Sequence, residues 1–247
     1  MTSSSCVAVI VEPRQHPLFA FVVHNVVTHL PDHWSVQVFH GTTNTTFVKQ
    51  ALADLPHVTY TSLGKPNLSA DGYNRLLTSP WFWTRVAGEH VLLFQTDSVI
   101  LDSPHTIDEY LGYDYVGSPW NLAISRADRT GTRDGVGCGG FSLRKKSSAL
   151  AALPHLDDPV QYGEDVVFAE FFERHPDYTV APKSVAQTFC MGEVYVDKPF
   201  AMHKCWMVLR YPELVRHLAT HHTSRYLLAQ YKPHLHTRRQ WIPIRAS

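Results

Sequence analysis

The sequence predicts an α/β protein whose central sheet is mostly parallel and is flanked by helices. Two observations carry this prediction. The first is the β-branched run CVAVIVE at 6–12, which is typical of a strand buried on both faces of a parallel sheet. The second is the order β-α-β-α-β-α-β over roughly the first hundred residues, which favours parallel strands joined by helices.

The other strands of this first half each have a recognisable pattern. Residues 34–41 (WSVQVFHG) alternate between apolar and polar side chains and stop at a glycine. Residues 57–63 (HVTYTSL) are rich in β-branched and aromatic side chains. Residues 90–95 (HVLLFQ) form an apolar run that ends on a polar side chain. Together with the opening run they predict four strands.

The segments between these strands have helical signals. Apolar residues recur at helical spacing over 17–30, where a proline suits the first turn. A second helix is expected over 44–55, with Asn44 as its N-cap. Residues 69–86 predict two short helices broken at Pro80.

The second half is less regular. Residues 113–120 predict a short strand that runs into a turn, and 135–153 predict a glycine-rich loop, a strand and then a helix. Residues 163–175 predict a helix with two acids in its first turn.

We expect a single domain over 1–247, because no repeat or linker interrupts the chain. It divides into a nucleotide-binding half at about 1–103, an acceptor and catalytic half at about 104–210, and a C-terminal extension at 211–247.

Composition excludes several classes of protein. Lys plus Arg and Asp plus Glu number 22 each, so a nucleic-acid binder with a broad basic face is not expected. The four cysteines (Cys6, Cys138, Cys190 and Cys205) lie far apart, which argues against a zinc site or a disulfide scaffold. The sequence has neither a signal-peptide pattern nor a long apolar run, which predicts a cytoplasmic protein without a transmembrane segment.

Several polar groups stand where parallel strands or helices begin or end. Asp97 follows a buried strand, where an acid is either a turn former or a ligand of Mg²⁺ or Mn²⁺. Glu164 and Asp165 open a helix, where acids complement the helix dipole or act as general bases. His203 and Lys204 form a pair suited to a metal and a phosphate.

Two further segments complete this pattern. Glu12 and Arg14 follow the first strand, at the edge where sheets of this kind bind nucleotides. The glycine-rich segment 135–140 is either a flexible loop or a place where a sugar ring approaches the backbone closely. It lacks the motif of a phosphate-binding loop.

The order of these motifs resembles that of GT-A-type glycosyltransferases, which have a Rossmann-type domain. More closely, the chain resembles an uncharacterised glycosyltransferase-like family over roughly residues 6 to 206. The matching motifs are VEPRQHP, VFHGTTN, GYNRLLTSPWFW, VLLFQTDSVI, YDYVGSPW, GGFSLR, EDVVF and HK.

The resemblance implies an inverting transfer of sugar from a UDP-sugar to a glycan or another hydroxyl acceptor. It implies Asp97 and His203 as ligands of Mn²⁺ or Mg²⁺, Asp165 as the base, and Glu164 as the group that holds hydroxyls. The implied nucleotide-binding residues are Val11, Glu12, Arg14, Tyr73, Asn74, Gln95, Thr96 and Lys204. The implied donor or acceptor sugar contacts are Trp120, Cys138, Gly139 and Gly140.

Two positions depart from the family pattern. Gln95 stands where the first acid of the Asp-x-Asp motif is expected, so the metal site has one charge fewer. Cys138 stands where the family often has Asn. These departures leave two alternatives open: a catalytically lapsed binding protein of the same fold, or a two-carboxylate glycoside hydrolase that uses Glu164 and Asp97.

Overall fold

The structure is a computed structural model that describes residues 6–121 and 135–204. The C-terminal extension expected at 211–247, and Cys205 with it, lie outside the described residues. The strands are β1 Cys6–Glu12, β2 Ser35–His40, β3 Val58–Ser62, β4 His90–Phe94, β5 Ser98–Ile100, β6 Tyr115–Pro119, β7 Val136–Lys145, β8 Cys190–Met191 and β9 Ala201–His203.

The helices alternate with the strands in the first half of the chain, and in the second half α5 to α8 lie between β7 and β8. They are α1 Phe19–His29, α2 Thr45–Ala51, α3 Ala70–Leu77, α4 Pro80–Arg85, α5 Lys146–Ala152, α6 Pro159–Tyr162, α7 Glu164–Arg174 and α8 Lys183–Phe189. Short 3₁₀ turns span Ile107–Tyr110 and Leu153–His155.

The central sheet has six strands in the order β3-β2-β1-β4-β7-β6. The four strands of the first half are parallel to one another, whereas β7 runs antiparallel to β4 and β6 runs antiparallel to β7. The expected α/β class with a mostly parallel sheet flanked by helices is therefore confirmed.

The opening strand is buried on both faces, as its continuous apolar run predicts. Ala8 and Ile10 belong to the core on the side of α1, while Val7 and Val9 belong to the core on the side of α4 and α7. Helices thus cover both faces of β1, which is the usual environment of a parallel strand.

Strand direction brings distant residues to one edge of the sheet. β1 and β4 run side by side with Ile10 opposite Phe94, so the segments after both strands leave at the same edge. Because β7 is antiparallel, with Phe141 opposite Phe94, the glycines that precede Phe141 lie at this edge too. Three separate segments of the chain meet there.

A second, smaller sheet with the order β5-β9-β8 extends this edge. β5 and β9 are antiparallel, and Ser98 lies opposite His203. The pairing places the residue before Ser98 next to the last residue of β9.

One expectation about local structure is wrong. The glycines of 135–140 were expected in a loop that precedes a strand, but all except Gly135 lie within β7. The strand has an irregular register where β6 reaches Gly117 and Ser118, and Gly137 there has a φ of 133°. Glycine fits because this backbone conformation is unfavourable for other residues.

Within residues 6–121 and 135–204, no helix has both the length and the apolar character needed to cross a membrane.

Candidate active site

A tight turn between β4 and β5 presents Asp97 at the shared edge. The Ser98 hydroxyl donates to the Gln95 carbonyl oxygen at 2.6 Å, and the Ser98 N–H donates to the same oxygen at 3.0 Å. The Gln95 N–H in turn donates to the Ser98 hydroxyl at 3.3 Å. The polar interruption between two apolar runs is therefore a hydrogen-bonded turn that carries a carboxylate.

Asp97 and His203 face each other across the second sheet. Asp97 Oδ1 lies 3.4 Å from His203 Nε2, and the His203 side chain is 4% exposed. Both atoms are buried and form an ion pair with each other, and neither makes a hydrogen bond to any other described residue. A carboxylate oxygen and an imidazole nitrogen that converge in this way are suited to a shared ligand.

The charges of this pair are coupled. Burial disfavours ionisation of Asp97, but His203 and Lys204 outweigh it and lower the pKa of the carboxyl group. Burial likewise disfavours the charged imidazole, but Asp97 and Cys138 outweigh it and raise the pKa of His203 to about 9. The pair therefore holds a proton that a bound cation would have to displace.

The imidazole of His203 is held from two sides. Cys138 Sγ lies 3.6 Å from His203 Nδ1. Gly140 lies so close to the ring that a Cβ atom there would come within 2.1 Å of both His203 Cε1 and Nε2. Real Cβ atoms essentially never come this close to another heavy atom, so glycine is required at this position.

Lys204 follows β9 in a left-handed conformation, with a φ of 49°. Its N–H donates to the Asp97 carbonyl oxygen at 3.2 Å, and its ammonium group lies 4.0 Å from Asp97 Oδ2. Such backbone strain in a residue other than glycine is concentrated at functional sites. The 44% exposed side chain leaves its charge available to a ligand.

Glu164 is held by a buried arginine. Arg144 Nη1 donates to Glu164 Oε2 at 2.6 Å and Nη2 donates to Oε1 at 3.1 Å. The guanidinium group lies over the rings of Tyr115 and Phe168. Burial disfavours its charge, but the Glu164 carboxylate outweighs this and raises the pKa of Arg144. Both oxygens of Glu164 are thus engaged, and its predicted contact with substrate hydroxyls stays a prediction.

Asp165 is oriented by backbone N–H groups. Its Oδ2 accepts from the Gly139 N–H at 2.8 Å and its Oδ1 accepts from the Val166 N–H at 3.0 Å. A Cβ atom on Gly139 would lie 2.6 Å from the Asp165 Cβ and from Glu164 Oε1. The glycine therefore lets the start of α7 dock against β7.

The loop after β1 is organised by Glu12. Arg14 binds its carboxylate in a bidentate manner, with Nε to Oε1 and Nη2 to Oε2 both at 2.8 Å. Asn44 makes no side-chain cap to α2 but instead donates to the carbonyl oxygens of Glu12 at 2.9 Å and Arg14 at 2.8 Å. The hydrogen bonds that Arg14 donates to Glu12 raise the pKa of Arg14, and the charge of Asp97 also contributes, so this loop lies near the Asp97 pair.

Helix α3 connects the two halves of the site. The Tyr73 hydroxyl accepts from Gln95 Nε2 at 3.2 Å, and Asn74 Oδ1 accepts from the Glu164 N–H at 3.4 Å. Burial raises the pKa of Tyr73, so its hydroxyl stays neutral. The two predicted nucleotide residues thus lie between the turn after β4 and the start of α7.

The remaining predicted residues lie around this centre. Trp120 packs with Val166, Ala169 and Cys138 in a small apolar cluster beside the glycines of β7. Val11 lies near the end of β1, and Thr96 lies in the turn that carries Asp97. Their predicted contacts with sugar or nucleotide stay predictions.

Two charged residues beside the predicted site residues were not identified from the sequence. Arg144 ends the GGFSLR motif. A lone arginine in an otherwise apolar strand is a sequence signal for a buried acidic partner. Glu193 follows β8 and accepts from the Asn121 N–H at 3.0 Å. Burial raises the pKa of Glu193. The negative charge of Asp165 raises it further, so the two carboxylates are close enough to repel each other. No sequence pattern distinguished Glu193.

The donor set fits a hard divalent cation only in part. Asp97 Oδ1 and His203 Nε2 converge at 3.4 Å, and a carboxylate together with an imidazole suits Mn²⁺ or Mg²⁺ when phosphate oxygens supply further ligands. Among the described residues, no group of three or more His, Cys, Asp or Glu side chains is arranged to hold a metal. Protein ligands alone therefore do not complete the site, whereas two ligands plus a diphosphate would.

Residues 58–203 match a family described as "Protein of unknown function (DUF5672)", which is more than half of the chain. The chain belongs to the DUF5672 family. The match spans the turn of Asp97, the glycines of β7, the start of α7 and His203. No curated protein matches this DUF5672 member by sequence.

Solved structures of the galactosyltransferase LgtC have a similar fold. The DUF5672 chain resembles the galactosyltransferase LgtC in complex with donor and acceptor sugar analogues, with a TM-score of 0.55, 11% identity and coverage of 92% of this chain and 95% of that chain. It also resembles an active-site mutant of LgtC, with a TM-score of 0.52 and 14% identity. The match covers 81% of this chain and 87% of that chain. The GT-A-type fold expected from the sequence is therefore confirmed.

A more distant likeness exists to S. aureus TarS 1–349, with a TM-score of 0.48 and 11% identity. It covers 80% of the DUF5672 chain, which spans only 60% of the TarS chain. At this TM-score the likeness carries no argument about function.

Proposed function

We propose that this protein is a nucleotide-sugar-dependent glycosyltransferase that transfers a sugar from a UDP-sugar to a glycan or another hydroxyl acceptor with inversion at the anomeric carbon. One observation carries the proposal. In a GT-A-type fold, the buried Asp97 Oδ1 and His203 Nε2 converge at 3.4 Å, with no other hydrogen-bond partner among the described residues, on the sheet edge where the carboxylate of Asp165 also lies.

The residues of this edge divide into three roles. Arg14 and Lys204 are exposed cations beside Asp97 and would bind the diphosphate. Asp97 and His203 would hold Mn²⁺ or Mg²⁺, which when bound would neutralise the charge that develops on the leaving diphosphate. Tyr73, Asn74 and the loop after β1 would line the base and ribose.

Asp165 would act as the general base. The acceptor hydroxyl oxygen attacks the anomeric carbon, its proton passes to a carboxylate oxygen of Asp165, and the bond from the anomeric carbon to the diphosphate oxygen breaks to release UDP. The N–H groups of Gly139 and Val166 fix the orientation of this carboxylate. Glu164, held by Arg144, would position the start of α7.

A two-carboxylate glycoside hydrolase is less well supported. In such an enzyme one carboxylic acid must donate a proton to the glycosidic oxygen. Glu164 is 4% exposed and both its oxygens bind Arg144. It is therefore poorly placed to protonate a leaving group.

The proposal is tested with a panel of nucleotide sugars, with and without Mn²⁺, by measuring donor hydrolysis and the anomeric configuration of any product. Asp165→Asn should leave UDP-sugar binding near the parent value and lower turnover by about 10²–10⁴-fold, which is typical for loss of a positioned base. Near-normal turnover of Asp165→Asn, or a retained anomeric configuration, would contradict the assignment.

Calorimetric titration with UDP and Mn²⁺ separates the alternatives. A lapsed binding protein should bind UDP without turning over any donor of the panel, and a hydrolase should ignore UDP and bind the oligosaccharide alone.

A further inference from the structure

We propose that Cys138 is a positioning residue that fixes the tautomer of His203 for metal binding. This inference rests on the proposed function, because it concerns the cation that Asp97 and His203 would hold. It assigns to Cys138 a role different from the sugar contact that the family resemblance implies.

The first step concerns the two nitrogen atoms of the imidazole ring. His203 Nε2 is the atom that faces Asp97 Oδ1, in an ion pair at 3.4 Å, and it makes no hydrogen bond to any other described residue. A neutral imidazole binds a cation through the nitrogen that has no proton. For Nε2 to be that nitrogen, the ring proton must be on Nδ1.

The second step concerns the group that faces Nδ1. Metal-binding histidines almost always donate their other N–H to an acceptor, and this bond sets both the tautomer and the orientation of the ring. In this structure the sulfur of Cys138 takes that place, 3.6 Å from His203 Nδ1. Once a cation has displaced the proton shared with Asp97, an N–H···S hydrogen bond from His203 to Cys138 would leave the Nε2 lone pair free to bind that cation.

The third step concerns the rigidity of the ring. Gly140 allows the backbone of β7 to approach the His203 ring so closely that a side chain there would collide with Cε1 and Nε2. Cys138 and Gly140 belong to the same strand, so β7 supplies both the acceptor and the surface against which the ring rests. The strand holds the ring, and Cys138 selects which nitrogen is available.

The test compares the full-length parent with Cys138→Ala and Cys138→Ser. Binding of Mn²⁺ is measured by calorimetry with and without UDP, so the readout does not depend on activity. Loss of a group that orients a metal ligand typically weakens metal binding by about 10–100-fold, and we expect Cys138→Ala to fall at the lower end because a thiol is a weak acceptor. Cys138→Ser, whose hydroxyl also accepts, should recover part of the affinity.

A matched control is Cys6→Ala, which removes a buried thiol at the opposite end of the sheet, where Cys6 lies beside His90. It should leave the affinity for Mn²⁺ unchanged. As a second readout, imidazole ¹⁵N spectra of the Mg²⁺-loaded proteins should place the His203 proton on Nδ1 in the parent and reduce that population in Cys138→Ala. The resonances are assigned with His203→Gln.

Two results would overturn the inference alone: Mn²⁺ affinity in Cys138→Ala equal to that of the parent, or no recovery in Cys138→Ser. A parent that binds no Mn²⁺ would overturn both the inference and the proposed metal site. Donor hydrolysis measured on the same samples would then show whether the protein is a glycosyltransferase that needs no metal.

Discussion

Gly140 is the residue at which the site tolerates the least change, because the His203 ring occupies the space of a side chain. We predict that Gly140→Ala displaces the ring, lowers stability by about 1–3 kcal/mol as overpacking usually does, and abolishes Mn²⁺ binding. Calorimetry and thermal unfolding measure the two effects. A Cβ atom on Gly112 would meet no atom within 4 Å, so Gly112→Ala is the control and should change neither.

Arg144 is a second residue with a large expected effect. Its side chain is fully buried against Glu164, whose side chain is 5% exposed. Replacing one partner of such a pair leaves an unpaired buried charge, so Arg144→Met should lower the free energy of unfolding by about 3–5 kcal/mol. Urea denaturation measures this difference.

Two further variants test the reason for that loss. Arg174 forms an exposed pair with Glu170, with an arginine side chain that is 60% exposed, so Arg174→Met should cost at most about 1 kcal/mol. Adding Glu164→Leu to Arg144→Met should restore part of the lost stability, because the unpaired charge is gone. A double variant less stable than Arg144→Met would show that packing, not charge, explains the loss.

Among the elements, the start of β6 is tied to its neighbours by Asp114. Its Oδ1 accepts from the Ser148 hydroxyl of α5 at 2.6 Å, and its Oδ2 accepts from the Thr179 N–H at 2.7 Å and hydroxyl at 2.8 Å. Burial would raise the pKa of Asp114, but these hydrogen bonds outweigh it and lower that pKa. The ionised carboxylate therefore joins three segments of the chain.

This linkage predicts a pH dependence of stability. Because the folded pKa of Asp114 lies below the unfolded value of about 3.9, its contribution is complete above that value and is lost as the pH falls through the folded pKa. Asp114→Asn should lower the free energy of unfolding by about 1.5–3 kcal/mol at pH 7, and the difference from the parent should shrink near pH 3. As a control, Asp54→Asn replaces a 72% exposed carboxylate and should have little effect on the free energy of unfolding. A loss of stability in Asp114→Asn that does not change with pH would contradict this explanation.

The elements that carry their own local sequence signal were predictable. The run at 6–12, Pro80 at the start of α4 and the acids at the start of α7 all lie where the sequence predicts. The strand that contains Gly137 was not predictable in this way. Its conformation depends on Tyr115, Trp120 and Ala169, which approach it from other elements.

Asp97 and His203 were expected to lie together, and they are 3.4 Å apart in the structure. Their role as metal ligands stays a prediction. The pairing of Arg144 with Glu164 and the use of Asn44 to hold the loop after β1 were not foreseen. Both depend on tertiary neighbours that no local pattern reveals.

At the scale of the whole molecule, the site joins the two sheets, so its ligands should stabilise the entire fold. A ligand at about 100 times its Kd adds about 2.7 kcal/mol to the free energy of unfolding. We predict that UDP with Mn²⁺ raises the melting temperature of the parent, and that Asp97→Asn loses most of this rise. Asp102→Asn, which removes a 63% exposed carboxylate nearby, should keep it.

The antiparallel pairing of Ser98 with His203 also governs when the site can exist during synthesis. The two strands are separated by about a hundred residues, which a ribosome adds in roughly 5–20 s. Until β9 emerges, Asp97 has no imidazole beside it and the apolar side chains of β5 lack their partner strand. Asp97 and His203, the proposed cation ligands, can therefore meet only after residue 203 has left the ribosome.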